Sequence, residues 1–259
     1  MKKNNITISI LVISGFLLAY FGSRLTSGFT GIQFASDYLR IAYHYFWWIV
    51  PPALVVGFLF GFENLPETTG LKKGFLFGFG FALVTVSPML ISSALVGSIS
   101  DDFRLFSLLK GTLFAGFMEE FLFRAFLFGL LFRKAGWGFV PAGLAGALIF
   151  GMGHLYQGST FVQAAGIFAI TAMGALWFAW LYIEWDSLWV PVLLHVFMNL
   201  SWTLFEVSEN ALGGVNSNIF RIITIALTVV FTILSRRKAG LKINRKTLWV
   251  NRDGICKAD

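Results

Sequence analysis

The stretch MEEFLFRAF, residues 118–126, sets two adjacent carboxylates and an arginine inside an otherwise continuous apolar run. What that run means depends on the solvent around it, and the flanking sequence supplies the answer. The chain has 259 residues, 57% hydrophobic and 13% charged, against roughly 45–50% and about 25% in soluble domains. Its mean hydropathy is +0.75. Apolar segments of about 18 residues or more recur on both sides of the stretch, each long enough to cross a hydrocarbon core of about 30 Å as a helix. Eight spans are expected, over residues 6–23, 41–62, 73–99, 105–132, 137–155, 161–183, 187–206 and 217–235. The chain therefore reads as all-α, a single polytopic membrane helix bundle over residues 1–235 followed by a basic cytoplasmic tail over residues 236–259.

The net charge is +7. In a soluble chain that would suggest nucleic acid, but its distribution points to topology instead. With eight helices threaded, Lys2, Lys3, Lys72, Lys73, Arg133, Lys134 and the tail from Arg236 fall on one side. The other side carries Arg24, Arg40 and Arg104 with acidic Asp101, Asp102, Glu206 and Glu209. The positive-inside rule then puts both termini in the cytoplasm of a cell-membrane protein, with the basic tail against anionic head groups. The first span lacks a small-residue cleavage site and reads as a retained helix, not a signal peptide. The single Cys256 excludes an internal disulfide and suits a reduced tail. Pro51, Pro52 and Pro88 are expected to kink or break their helices, and His44, between Tyr43 and Tyr45, reads as an interfacial residue.

A charge near the bilayer centre is expensive and by default marks function. Glu119, Glu120 and Arg124 fall in the middle of the fourth span, so they must face protein or trapped water. At about 100° per residue, Glu120 and Arg124 are about 40° apart and can pair, whereas Glu119 is about 140° from Arg124. A structural ion pair explains one glutamate and leaves Glu119 over. Further polar groups occur on two other spans: FGMGHLY puts His154 one turn after Phe150, and HVFMN puts His195 and Asn199 one turn apart on one face. Together these suggest a hydrolase around a polar intramembrane cavity. A glutamate in an apolar setting can act as general base, a histidine can hold the same water, and a second histidine with an asparagine amide can bind an oxyanion. Glutamate with two histidines is also a zinc-ligand set, here Glu119, His154 and His195. The chain has no Gly-x-Ser-x-Gly elbow, no His-Glu-x-x-His helix and no intramembrane aspartate pair, which argues against serine, site-two-type metal and aspartyl intramembrane proteases.

Glu119-Glu120-x-x-x-Arg124, Phe150-x-x-x-His154 and His195-x-x-x-Asn199, in that order on three spans, resemble the CPBP family. This family comprises the CAAX proteases and bacteriocin-processing enzymes, also called Abi, and includes the eukaryotic type II CAAX prenyl endopeptidase. The resemblance covers about residues 105–206. It implies that Glu119 activates the attacking water with help from His154, that His195 and Asn199 bind the oxyanion, and that Glu120 with Arg124 and Phe150 support the site. The activity implied is endopeptidase cleavage of a membrane-associated or lipidated peptide or protein, with no cofactor in the favoured glutamate chemistry and zinc in the alternative. From a different class, the same cluster would serve a non-catalytic membrane partner, such as a bacteriocin self-immunity protein or a sensor-kinase scaffold. The expected partners are the lipid bilayer and a peptide, not nucleic acid.

Overall fold

Asn4 accepts the Ile6 amide at 3.1 Å and starts the first helix, which runs until Gly31 turns left-handed at φ 63°. From there the computed structural model, which describes residues 4–99, 104–205, 207, 208 and 210–251, is helical almost throughout. Eight long helical stretches follow in order: α1 (Asn5–Thr30), α2 (Asp37–Phe60), α3 (Phe75–Val96), α4 (105–133), α5 (Phe139–Gly153), α6 (Phe161–Trp185), α7 (Trp189–Phe205) and α8 (Val215–Arg236). Among the described residues there is no strand, only an isolated bridge between Trp137 and Val250. The chain is a multi-pass membrane protein. Six of the stretches (α1, α2, α3, α5 with its continuation to Gln157, α6 and α8) are long and apolar enough to cross a bilayer. The other two of the eight expected spans fall outside that group: α7 has 17 residues, at the short end of the roughly 17–25 a crossing takes, and α4 is compound. Lys2, Lys3, Asp101, Asp102, Glu206, Glu209 and Cys256, used above for topology and compartment, lie outside the described residues.

The central strut is α4. It packs against α1, α2, α5, α6 and α7, and every residue from Glu120 to Arg133 is buried. EFLFRAFLFGLLFR is apolar almost all the way round, as a helix enclosed on all sides should be. Sequence reading anticipates a plain α-helix here, but the backbone alternates. It is α-helical at Leu105–Leu109, Ala115–Glu119 and Gly129–Arg133, and π-helical at Lys110–Phe114 and Glu120–Phe128. The wider turns, with i→i+5 bonds, are rare and frequently found at functional sites. The 100° step used for residues 119–124 therefore holds only as far as Glu120.

The prolines do not break their helices. α2 continues through Pro51 and Pro52, both buried in the bundle, and α3 continues through Pro88. In α3 the compensation is local. Pro88 offers no N–H to the Val84 carbonyl one turn earlier, and the Ser87 hydroxyl donates to that carbonyl at 2.9 Å instead, the kind of side-chain substitution that lets membrane helices tolerate proline.

After α8 the described part of the expected surface tail packs onto the bundle. Glu184, fully buried near the end of α6, accepts the Lys242 amide at 3.0 Å and the Ile243 amide at 2.9 Å. Phe139 donates its amide to the Thr247 carbonyl at 2.9 Å, and the Asn251 side chain donates to the Phe132 carbonyl at 2.8 Å. Residues 241–251 thus form a strap across the ends of α4, α5 and α6. A buried carboxylate needs donors, and the strap's backbone provides them.

Candidate active site

The two glutamates of the opening stretch have different surroundings. Glu120 is wholly buried and Arg124 is 2% exposed, and Nη1 of the arginine lies 3.0 Å from Glu120 Oε1. The guanidinium carbon sits 4.5 Å above the Phe150 ring and 5.5 Å from that of Phe178. Burying a pair of charges is tolerated only with close partners, and Glu120 has a second one: His195 Nδ1 donates to its Oε1 at 2.8 Å. Glu119, by contrast, is half-buried and faces a cavity of about 150 Å³.

That cavity is bounded by α1, α2, α4 and α5 and is partly open. Its walls carry Glu119 and Phe123 from α4, with Phe150, Gly153, His154 and Tyr156 from α5 and the turn after it. Tyr20, Arg24, His44 and Trp48 close it from α1 and α2. The space is polar enough, and large enough, to hold several ordered waters. His154 is held in one orientation, because its Nδ1 donates to the Phe150 carbonyl at 2.8 Å and its ring lies 4.6 Å from the Phe150 ring. A carbonyl can only accept, so in the neutral imidazole Nε2 is an acceptor. Phe150 thereby links the two halves of the site, its carbonyl fixing His154 and its ring face lying under Arg124. Gly153 stands close to α1: a Cβ there would lie 2.9 Å from the Tyr20 hydroxyl.

His195 and Asn199 stand on the α7 side of Glu119 and do not line the cavity. His195 Nε2 is 3.8 Å from Glu119 Oε2, beyond a direct hydrogen bond. The Asn199 amide donates to the Gly111 carbonyl at 2.9 Å, inside the first π-helical stretch of α4. At Gly116, α4 and α7 are in contact, since a Cβ would lie 2.8 Å from Val196 Cγ2. The structure therefore gathers Glu119 with His154 on one cavity, brings Glu120, Arg124 and His195 into one buried network, and turns the Asn199 amide toward the α4 backbone.

The alternative zinc set does not come together. No group of three or more His, Cys, Asp or Glu side chains among the described residues is placed to hold a metal ion, and of Glu119, His154 and His195 only the first two share the cavity.

The wall that sequence reasoning missed belongs to α1 and α2. His44, read as interfacial, is half-buried on the cavity and meets Ser23 Oγ through Nδ1 at 3.0 Å. Tyr20 with Arg24, and His44 with Trp48, are each one turn apart on a single face. That i, i+4 spacing is the only trace in the sequence of what they line.

Residues 101–201 match the family model described as "Type II CAAX prenyl endopeptidase Rce1-like". A Bacillus subtilis (strain 168) protein named "Putative membrane peptidase YdiL" is 37% identical over 82 residues, which is 32% of this chain and 30% of that protein. The match thus spans less than a third of the relative's length. No solved structure gives a significant match. The resemblance to the CPBP family is thereby borne out over this segment, which contains Glu119, Glu120, Arg124, Phe150, His154, His195 and Asn199. The α1 and α2 side of the cavity lies outside it.

Proposed function

We propose that this chain is an intramembrane endopeptidase that hydrolyses a peptide bond in a membrane-associated or lipidated peptide or protein. The observation that carries the reading is the shared cavity of Glu119 and His154, inside the segment similar to a peptidase family. A carboxylate and a fixed imidazole acceptor facing one polar space are what general-base activation of a water requires.

In this reading a water sits between the Glu119 carboxylate and Nε2 of His154. Glu119 takes one of its protons, and the resulting hydroxide adds to the scissile carbonyl carbon while the carbonyl π electrons move onto oxygen. The scissile carbonyl lies between Glu119 and α7, where the oxyanion meets His195 and Asn199. His195 Nδ1 already donates to Glu120, so donation to the oxyanion from Nε2 needs the imidazolium form. Asn199 lends its second amide hydrogen. Glu119 is protonated at that stage, so the two negative charges, the oxyanion and Glu120, stand against two cations, Arg124 and His195. The proton on Glu119 passes to the amide nitrogen as the C–N bond breaks, releasing amine and acid. The enzyme sits in the cell membrane with both termini cytoplasmic, and no metal takes part.

The test is cleavage of membrane-anchored fluorogenic peptides by the purified protein in bilayers. Glu119→Gln and His154→Ala are expected to lower the rate at least about 10²-fold without changing the melting curve. Full activity of Glu119→Gln would end the catalytic reading and favour a non-catalytic membrane partner. Loss of cleavage in chelator, together with one zinc per purified chain, would replace the glutamate-held water by metal chemistry.

A further inference from the structure

The cavity that holds Glu119 also holds a cation that the reaction above leaves unused. Arg24 lines it from α1, together with His44 of α2 and the exposed Tyr156. The other arginines on nearby helices are committed: Arg40 pairs with Asp37 at 2.8 Å, Arg124 with Glu120 at 3.0 Å and Arg133 with Asp186 at 3.0 Å. Arg24 makes no ion pair among the described residues, although it stands in a span of high hydropathy. Its backbone is nevertheless firmly placed. Ser23 bonds to His44 at 3.0 Å, and Thr26 bonds to Tyr43. The Trp47 ring packs against Gly22, where any Cβ would collide with it. Arg24, itself exposed, therefore projects from a segment stitched to α2 on both sides, so its backbone is already in place when a group binds there.

We propose that Arg24, with His44 beside it, forms a carboxylate-binding subsite for the substrate. Resting on the peptidase reading, this defines the substrate class as a chain bearing a carboxylate within one or two residues of the scissile bond. The carboxylate comes from an acidic side chain or from a free C-terminus. A guanidinium is suited to a carboxylate because its planar fork can make two parallel hydrogen bonds. The cavity also sets the distance. Arg24 and Glu119 line the same space of about 150 Å³, and one or two residues of extended chain, each roughly 3.3–3.6 Å long, span such a space. Such a substrate would be repelled by ionised Glu119 unless a cation met its charge, and Arg24 is the cation on that wall.

The experiment uses full-length protein in phosphatidylcholine nanodiscs and one apolar fluorogenic peptide in matched pairs. One pair has a free or an amidated C-terminus, and the other has Glu or Gln within two residues of the cleaved bond. The wild type should cleave the carboxylate member of at least one pair about tenfold better in kcat/KM, and the pair that shows the preference identifies the source. Arg24→Gln should bring that ratio close to one, and Arg24→Lys should keep part of it. A wild type without preference in either pair, or an Arg24→Gln variant that retains the preference, overturns the subsite. It is equally overturned if Arg24→Gln alters only a dependence on added phosphatidylglycerol, because Arg24 then serves a lipid head group. If no peptide is cleaved by any protein, the peptidase reading falls. The subsite is then judged by binding of the same labelled pairs to wild type and Arg24→Gln, with the same ratios deciding.

Discussion

Arg124→Leu tests the buried network directly. Glu120 is wholly buried and Arg124 is 2% exposed, so the substitution strands a carboxylate in the middle of α4. Breaking a buried pair from one side costs about 3–5 kcal/mol. Loss of the guanidinium over Phe150 and Phe178 adds to this, by as much as about 2 kcal/mol where the contact is desolvated. Two effects offset part of it: the new leucine is apolar, and His195 Nδ1 still donates to Glu120. The net expectation is a loss of about 3–4 kcal/mol. In Glu120→Gln/Arg124→Leu the charge itself is gone, while the glutamine carbonyl oxygen still accepts from His195. What remains is an unpartnered amide at about 1–2 kcal/mol, so the double variant should be more stable than the single one by about 2 kcal/mol. Reversible unfolding in mixed detergent micelles, read by tryptophan fluorescence, measures both. A single variant that loses less than about 1 kcal/mol, or a double variant no more stable than it, would mean that the pair is not what holds Glu120 in the core.

Three further outcomes are expected. Gly153→Ala puts a methyl group 2.9 Å from the Tyr20 hydroxyl and into the cavity, so cleavage should fall several-fold while the unfolding free energy changes by about 1 kcal/mol or less. Gly116→Val places its Cβ 2.8 Å from Val196 Cγ2 and pushes α7 away from α4. It should cost about 1–3 kcal/mol and lengthen the His195–Glu120 contact, visible as a changed imidazole NMR resonance. Glu184→Gln leaves an amide group facing one of the two strap amides. Weakening that site by about 2 kcal/mol should speed hydrogen exchange at Lys242 and Ile243 by roughly 30-fold, with little change in the centre of α4.

The parts of this architecture that depend on local sequence are the parts that could be read from it. The long apolar runs become helices, and residues one turn apart, Glu120 with Arg124 and Phe150 with His154, meet as their spacing predicts. That Glu119 is left over and faces polar space also follows from its place on α4. What could not be read depends on which helices become neighbours. The α1–α2 contact that brings Tyr20, Arg24 and His44 to one cavity goes with the packing of Trp47 on Gly22, and hydropathy has no term for it. Unbroken α2 and α3 had to be seen, since proline is a breaker only where nothing replaces its missing donor, as Ser87 does at Val84. The π-helical turns of α4 and the donors that find Glu184 come from contacts more than fifty residues apart or from enclosure on every side.

The strap has a bearing on how the protein is made. Residues 241–251 leave the ribosome after every helix they brace. Until then α4, α5 and α6 must sit in the bilayer with their ends unlatched, and Glu184 must wait for the two amides that neutralise its isolation. Shortening the chain before residue 241, as is done when reporters are fused to successive loops to map topology, freezes it in that unlatched condition. Fusions placed after residue 251 keep the latch and report on the finished bundle.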